Sequence, residues 1–162
     1  MLNHSVFEGY QGNAWALGSL RSVGPNGESR QLIDIASIHL LEARLADVGL
    51  DPSGLWNSDD WAPYERYVEP WIRQTVQELA KAALSTCAVI NFEAVMIDGG
   101  LPQNVKQTLV ERTRRYIAKQ DIRGLIPHQS EAGTMGRKAR EIGAACGPIW
   151  SHFLLKSNAG LS

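Results

Sequence analysis

Apolar residues recur at helical spacing in several stretches of this chain and close up into a continuous run in one other, and this change of period sets the expected order of elements. From Leu32 to Val48, the positions Ile35, Ile38, Leu41, Leu45 and Val48 fall on one helical face, with Gly49 where a helix would stop. A second stripe of Ile72, Val76, Leu79, Ala80, Ala83 and Cys87 predicts a long helix over 69–90, whose alanines permit close packing against a sheet or another helix. Ala94 to Ile97 is a short apolar run suited to a buried strand. Val105, Leu109, Tyr116 and Ile117 then mark the inner face of a helix from Pro102 to about Lys119, and Leu125-Ile126-Pro127 reads as a short strand or extended segment. Thr134 stands where it would cap a last helix, along which Ala139, Ile142, Gly143, Cys146, Ile149, Trp150 and Phe153 keep helical spacing.

Ahead of these helices the pattern is different. Gly9, Gly12, Gly18, Gly24 and Gly27 punctuate short apolar runs, which predicts strands and turns in a small sheet or hairpin. Asp51 to Pro63 is rich in Pro, Ser, Asn and Asp but also carries Trp56 and Trp61, so it reads as a loop pinned to the surface by those rings. No repeat or low-complexity tract interrupts the order. The expected organisation is a single unit over 1–162: a glycine-rich β segment (1–31), a helical part (32–90) and a strand-helix-strand-helix part (91–162). That order fits an α/β or α+β layer architecture dominated by helix.

Composition narrows the function classes more than it selects one. With 162 residues, 44% apolar and 20% charged, the chain suits one soluble globular domain with a real core. A net charge of -1 gives no general reason to expect nucleic-acid binding. Lys106, Arg112, Arg114, Arg115, Lys119 and Arg123 do gather, but mostly on the outer side of one predicted helix, which reads as a solvated face. Cys87 and Cys146 lie far apart inside apolar helical patterns, so buried thiols in a reducing, cytoplasmic setting are expected. No apolar stretch approaches membrane-spanning length, and the N-terminus reads as neither a basic leader nor an apolar signal core. His4, His39, His128 and His152 are scattered without ligand spacing and are expected at the surface or in packing.

Candidate chemistry concentrates in Asn91 to Pro102, where the apolar strand delivers two glycines and a proline to the start of a helix. Gly99-Gly100 lets the backbone turn and approach a ligand, and amides beyond the strand would cradle phosphate or line an adenine pocket. The same residues also make an ordinary strand-to-helix connection. Asp98 reads as a turn residue or a ligand-orienting one.

Two further segments join this run in a fixed order. Gly9-Tyr10-Gln11-Gly12-Asn13-Ala14-Trp15-Ala16-Leu17-Gly18-Ser19 is similar to a stretch written G-x-x-G-N-A-G-E-L-G-H. Gly136-Arg137-Lys138-Ala139-Arg140-Glu141-Ile142-Gly143-Ala144-Ala145 is similar to a closing helix written G-x-x-A-x-x-x-G-A-A. With Phe92 to Leu101 as the strand ending in Gly-Gly, most of the chain resembles the ROK family (repressor, open reading frame, kinase), which includes bacterial sugar kinases and sugar-responsive transcription regulators. The resemblance implies an α/β fold, here a helix-rich partial C-terminal lobe of an actin-like or ribonuclease-H-like ATPase. The family's first phosphate loop and catalytic aspartate would belong to a preceding lobe, and the regulators' helix-turn-helix to a further domain.

Departures from the family pattern change what is expected of the site. Ala16 and Ser19 stand where the family has a sugar-binding Glu and a His that binds sugar and zinc. Val23 to Ile33 contains no cysteine where the family has a zinc-binding cluster, and Ile33 falls where a second sugar-binding Glu would be. The resemblance therefore implies the effector-sensing and dimerisation part of a ROK-type transcription regulator without kinase activity. The alternatives are a fragment of a divergent ATP-dependent sugar kinase and a stand-alone self-associating domain. Expected ligand contacts are Gly99, Gly100, Asp98, Asn13 and Ser19, with no catalytic residue, metal or cofactor assigned. Expected partners are a second copy of the chain, through the apolar closing helix, and a sugar-like small molecule or nucleotide. DNA would be met only through a domain outside this chain, and no membrane is expected.

Overall fold

The computed structural model describes residues 10–11, 16–24, 26–126, 128–138, 141, 142, 144 and 146. Its architecture is α/β. A short 3-10 turn, Leu17–Ser19, leads into an antiparallel hairpin of β1 (Arg21–Val23) and β2 (Ser29–Gln31), with Ser22 opposite Arg30. The hairpin is tied to the helical layer by Ser22, whose hydroxyl donates to Glu78; the same carboxylate takes a 2.7 Å hydrogen bond from Lys81.

The helix expected over Leu32 to Val48 is two helices, α1 (Ile33–Ala36) and α2 (Ile38–Asp47). Ser37 interrupts them in an extended conformation, and its hydroxyl accepts the His39 amide at 3.2 Å as an N-cap. Serine competes for backbone bonds in this way, which apolar spacing alone does not register. Ile35, Leu41 and Leu45 are buried as expected, whereas Val48 is exposed. The helix ends at Gly49, with the Gly49 amide on the Ala46 carbonyl and the Leu50 amide on that of Leu45, both at 2.9 Å.

After α3 (Gly54–Asn57) and a 3-10 turn at Ala62–Tyr64, the long helix α4 runs Glu65–Ile90. It starts a turn earlier than Pro70 suggests: proline fits a first turn best, but further in it forfeits only one backbone bond directly, and packing outweighs that. Ile72, Val76, Ala80, Ala83 and Cys87 are buried along the expected stripe, with Leu79 partly so. Of the two loop tryptophans only Trp61 is buried; it packs edge-on against Trp71 of α4 at 6.3 Å and donates to the Leu55 carbonyl at 3.2 Å.

Strand β3 (Ala94–Ile97), helix α5 (Gln103–Ile117) and strand β4 (Gln129–Ala132) form a β-α-β unit, with β3 and β4 parallel and Ile97 beside Ala132. The second strand is not at Leu125-Ile126: Leu125 lies in a turn, its amide on the Ile122 carbonyl at 2.9 Å, and Ile126 is 80% exposed. Pro127 lies outside the described residues. Helices α4 and α5 pack together over the inner face of β3, where Ile97 joins Val68, Ile72, Val76, Val105, Leu109 and Val110 in one core. His128 is buried against Phe92 at 5.1 Å, and burial lowers its imidazole pKa.

Cys146 is exposed, against the expectation of a buried thiol, while Cys87 is buried. The last helix begins differently from its reading. A 3-10 turn covers Gly136–Lys138, and the amides of Met135 and Gly136 go to Asp98. Glu141, Ile142, Ala144 and Cys146 are helical; Ala139, Gly143, Ile149, Trp150, Phe153 and Leu154 lie outside the described residues, as do Asn13, His4 and His152.

Candidate functional site

The carboxyl ends of both parallel strands meet at Asp98, directly after β3. Its Oδ1 accepts Lys106 Nζ at 2.6 Å, the Gly99 amide at 2.8 Å and the Gly136 amide at 3.1 Å. Oδ2 accepts the Met135 amide at 3.0 Å. Lys106 reaches this carboxylate from the first turn and a half of α5 and also donates to the Gly133 carbonyl at 3.0 Å, with its side chain only 3% exposed. The expectation of a solvated face thus fails for Lys106, which crosses the interior of the β-α-β unit to join both strand ends.

This arrangement fixes the protonation of the site. The Lys106 hydrogen bond, opposed by desolvation and aided by the three amides, brings the Asp98 carboxyl down to about 2. At neutral pH Asp98 is a saturated, ionised acceptor that organises the turn. Two glycines are required for it. Gly99 has a φ of +144°, which side chains rarely adopt, and a Cβ on Gly133 would overlap the Asp98 side chain.

Beyond the knot lies an open cleft of about 430 Å³ lined by Ser37, Ile38, His39, Trp56, Gly99, Gly100, Gly136 and Arg137. One wall is aromatic: the His39 and Trp56 rings lie 5.3 Å apart at 44°. His39 Nδ1 is 2.8 Å from Glu42 Oε2, which orients the imidazole. Backbone from two glycine turns, at Gly99-Gly100 and Gly136, lines the cleft as well. Arg137 closes the rim, donating to the Ser58 carbonyl at 2.6 Å and to Asp59 Oδ1 at 2.9 Å, and so ties the loop after α3 to the turn after β4. The cleft has the size of a small-molecule site. A ring placed against Trp56, with polar groups toward the glycine turns and the Arg137 guanidinium, would use every wall.

Of the ligand contacts expected from sequence, Gly99 and Gly100 line this cleft, and Asp98 sits behind it within the knot. Ser19 is exposed at the end of the first 3-10 turn and is not among the lining residues; Asn13 lies outside the described residues. Ala16 lines a different, apolar groove with Leu17, Leu20 and Val89, and Ile33 is 55% exposed. Sequence reasoning missed His39, Trp56, Arg137 and Lys106. A signal existed for Trp56, a large ring in a polar loop, and none for the other three.

A parallel β-α-β unit with a glycine turn and a ligand-sized cleft at the carboxyl ends of its strands belongs to the α/β class whose ligands sit at such strand ends. The fold is α/β and is similar to the actin-like fold of a solved ROK hexokinase. The chain matches the solved ROK hexokinase from Thermus thermophilus with a TM-score of 0.56 and 21% identity, over 88% of this chain and 50% of that one. It therefore spans about half the length of that hexokinase. No protein-family model matches the chain, and no curated protein does.

Proposed function

We propose that this chain is the effector-sensing part of a ROK-type regulator: it holds a small ligand with a planar ring, such as a nucleotide, in the Trp56 cleft and transfers no phosphoryl group. The observation that carries this reading is the state of Asp98. The acidic side chain of the glycine turn is committed to Lys106 and three amides, so it orients the turn and has no lone pair placed for a substrate. Phosphoryl transfer to a sugar needs positioned charge and a base for the attacking hydroxyl. Ala16, Ser19 and Ile33, where the resembling family has sugar-binding side chains, supply neither. A second reading, a piece of a divergent sugar kinase, is favoured by the likeness to a hexokinase.

Two measurements on the purified chain separate these readings. ADP titrated by calorimetry is expected to bind, and Trp56→Ala to weaken binding at least tenfold. Glucose with ATP is expected to give no glucose phosphate above the protein-free rate. ADP binding that is indifferent to Trp56 would overturn the cleft assignment; sugar phosphate formed above background would establish the kinase reading.

A further inference from the structure

Arg137 stands at the rim of the Trp56 cleft with its guanidinium already engaged. The Gly136 amide before it is fixed on Asp98 at 3.1 Å, and the arginine stem runs past Gly100, where an added Cβ would stand 3.5 Å from Cγ. The root of the side chain is therefore held by the strand-end knot. Its tip is taken by the loop after α3: Nη2 donates to the Ser58 carbonyl at 2.6 Å and to Asp59 Oδ1 at 2.9 Å.

A guanidinium offers an anion two forks, one made by Nε and Nη2 and the other by Nη1 and Nη2. Both forks need Nη2, and both of its hydrogens are in use, while Nε and Nη1 hold no partner among the described residues. An anion can thus bind Arg137 in bidentate fashion only after one of the two contacts is released. The weaker one is the ion pair, whose Asp59 side chain is 90% exposed and heavily screened by water. The loop does not depend on it. The Ser58 hydroxyl accepts the Asp60 amide at 3.0 Å and donates to the Asp60 carbonyl at 3.1 Å, and Asp60 Oδ1 accepts the Ala62 amide at 2.9 Å. The Asp59 side chain can swing out and leave this turn standing.

We infer that Arg137 recognises an anionic group on the ligand of this cleft, and that Asp59 is a built-in competitor for the same guanidinium. The inference rests on the Trp56 cleft being a ligand site and adds that the ligand carries a phosphate besides its ring. The phosphate replaces the Asp59 carboxylate on Nη2 and completes a fork with Nε or Nη1, trading a single-point contact for a bidentate one. A neutral ring compound meets Trp56 and leaves the Asp59 pair intact.

Calorimetry on the full chain with ADP and with adenosine, at low salt, tests it. Asp59→Asn should tighten ADP about three- to fivefold, the scale of an exposed ion pair, and leave adenosine unchanged. Arg137→Ala should weaken ADP several-fold and again spare adenosine. On the Arg137→Ala background Asp59→Asn should bring no gain, whereas plain repulsion between Asp59 and the phosphate would leave the gain in place. Asp59 is exposed, and circular dichroism would verify that each variant is folded. ADP that fails to bind, or binds regardless of Trp56, overturns the cleft reading and this inference together. ADP held through Trp56 but indifferent to Asp59→Asn, adenosine tightened as much as ADP, or a gain that survives Arg137→Ala overturns the competitor alone.

Discussion

Helix α5 carries two ion pairs of the same length in opposite surroundings. Lys106 meets Asp98 at 2.6 Å with the two side chains 3% and 21% exposed, and Arg112 meets Glu69 at 2.6 Å with 39% and 40% exposed. Distance alone would rank them equal. Burial does not: an ammonium removed from water must be compensated where it lies, and Lys106 is held by a carboxylate and a carbonyl, while Arg112 can turn to solvent if its partner is lost. The buried pair thus constrains the architecture of the strand ends and the glycine cleft. The exposed pair serves as a movable charge on a surface.

The largest effect expected from this contrast is in Lys106→Met, which keeps the aliphatic stem and removes the charge. Asp98 would lose its strongest donor and Gly133 a partner for its carbonyl. Removing one side of a buried pair costs about 3 kcal/mol at the low end of its range, which suits a carboxylate that still keeps three amides. Urea unfolding at pH 7 measures it, and a loss below about 1 kcal/mol would mean that Lys106 does not hold the strand ends together.

Next in size is an acid dependence specific to Asp98. Its folded pKa of about 2 lies below the ordinary value of 3.8, so the folded state binds fewer protons between these values and stability falls with pH. The contribution is fully present above about pH 4 and is lost as pH drops toward 2. It amounts to about 2 kcal/mol at 1.36 kcal/mol per unit. Asp98→Asn should be less stable than the wild type at pH 7, with the difference shrinking below pH 4. A constant difference down to pH 2 would mean that the carboxylate's charge contributes nothing.

The same contrast explains what could be read from the sequence. Strand β3, its glycine turn and the body of α5 are legible because their causes are local: an apolar run, Gly-Gly and a proline within a few residues; the expected burial of β3 holds only at Ile97, since its one strand partner leaves Ala94 and Met96 exposed. Strand β4 is Gln-Ser-Glu-Ala, with no β-branched residue and no apolar alternation; pairing with β3 makes it a strand, and that is a tertiary cause. Lys106 looks like one of a row of cations on a polar helix face, because the carboxylate that draws it inward lies eight residues back and the carbonyl on a distant turn. The aromatic and guanidinium walls of the cleft are brought in by the packing of α2 and the loop after α3, which periodicity cannot register.

The smallest expected effect sharpens the comparison most, because it requires a near-null result at an equally short ion pair. Glu69 is held below the usual carboxylate range chiefly by its Arg112 hydrogen bond, yet both groups remain more than a third exposed, and solvent screens most of that interaction. Arg112→Ala should therefore lower stability by less than about 1 kcal/mol, and 0.5 M salt should bring it closer to the wild type. The Lys106→Met loss should hardly respond to the same salt, since its pair is covered. Urea curves for both variants at two salt concentrations give the four numbers needed. If Arg112→Ala costs as much as Lys106→Met, or if salt narrows both losses equally, burial is not what separates the two pairs.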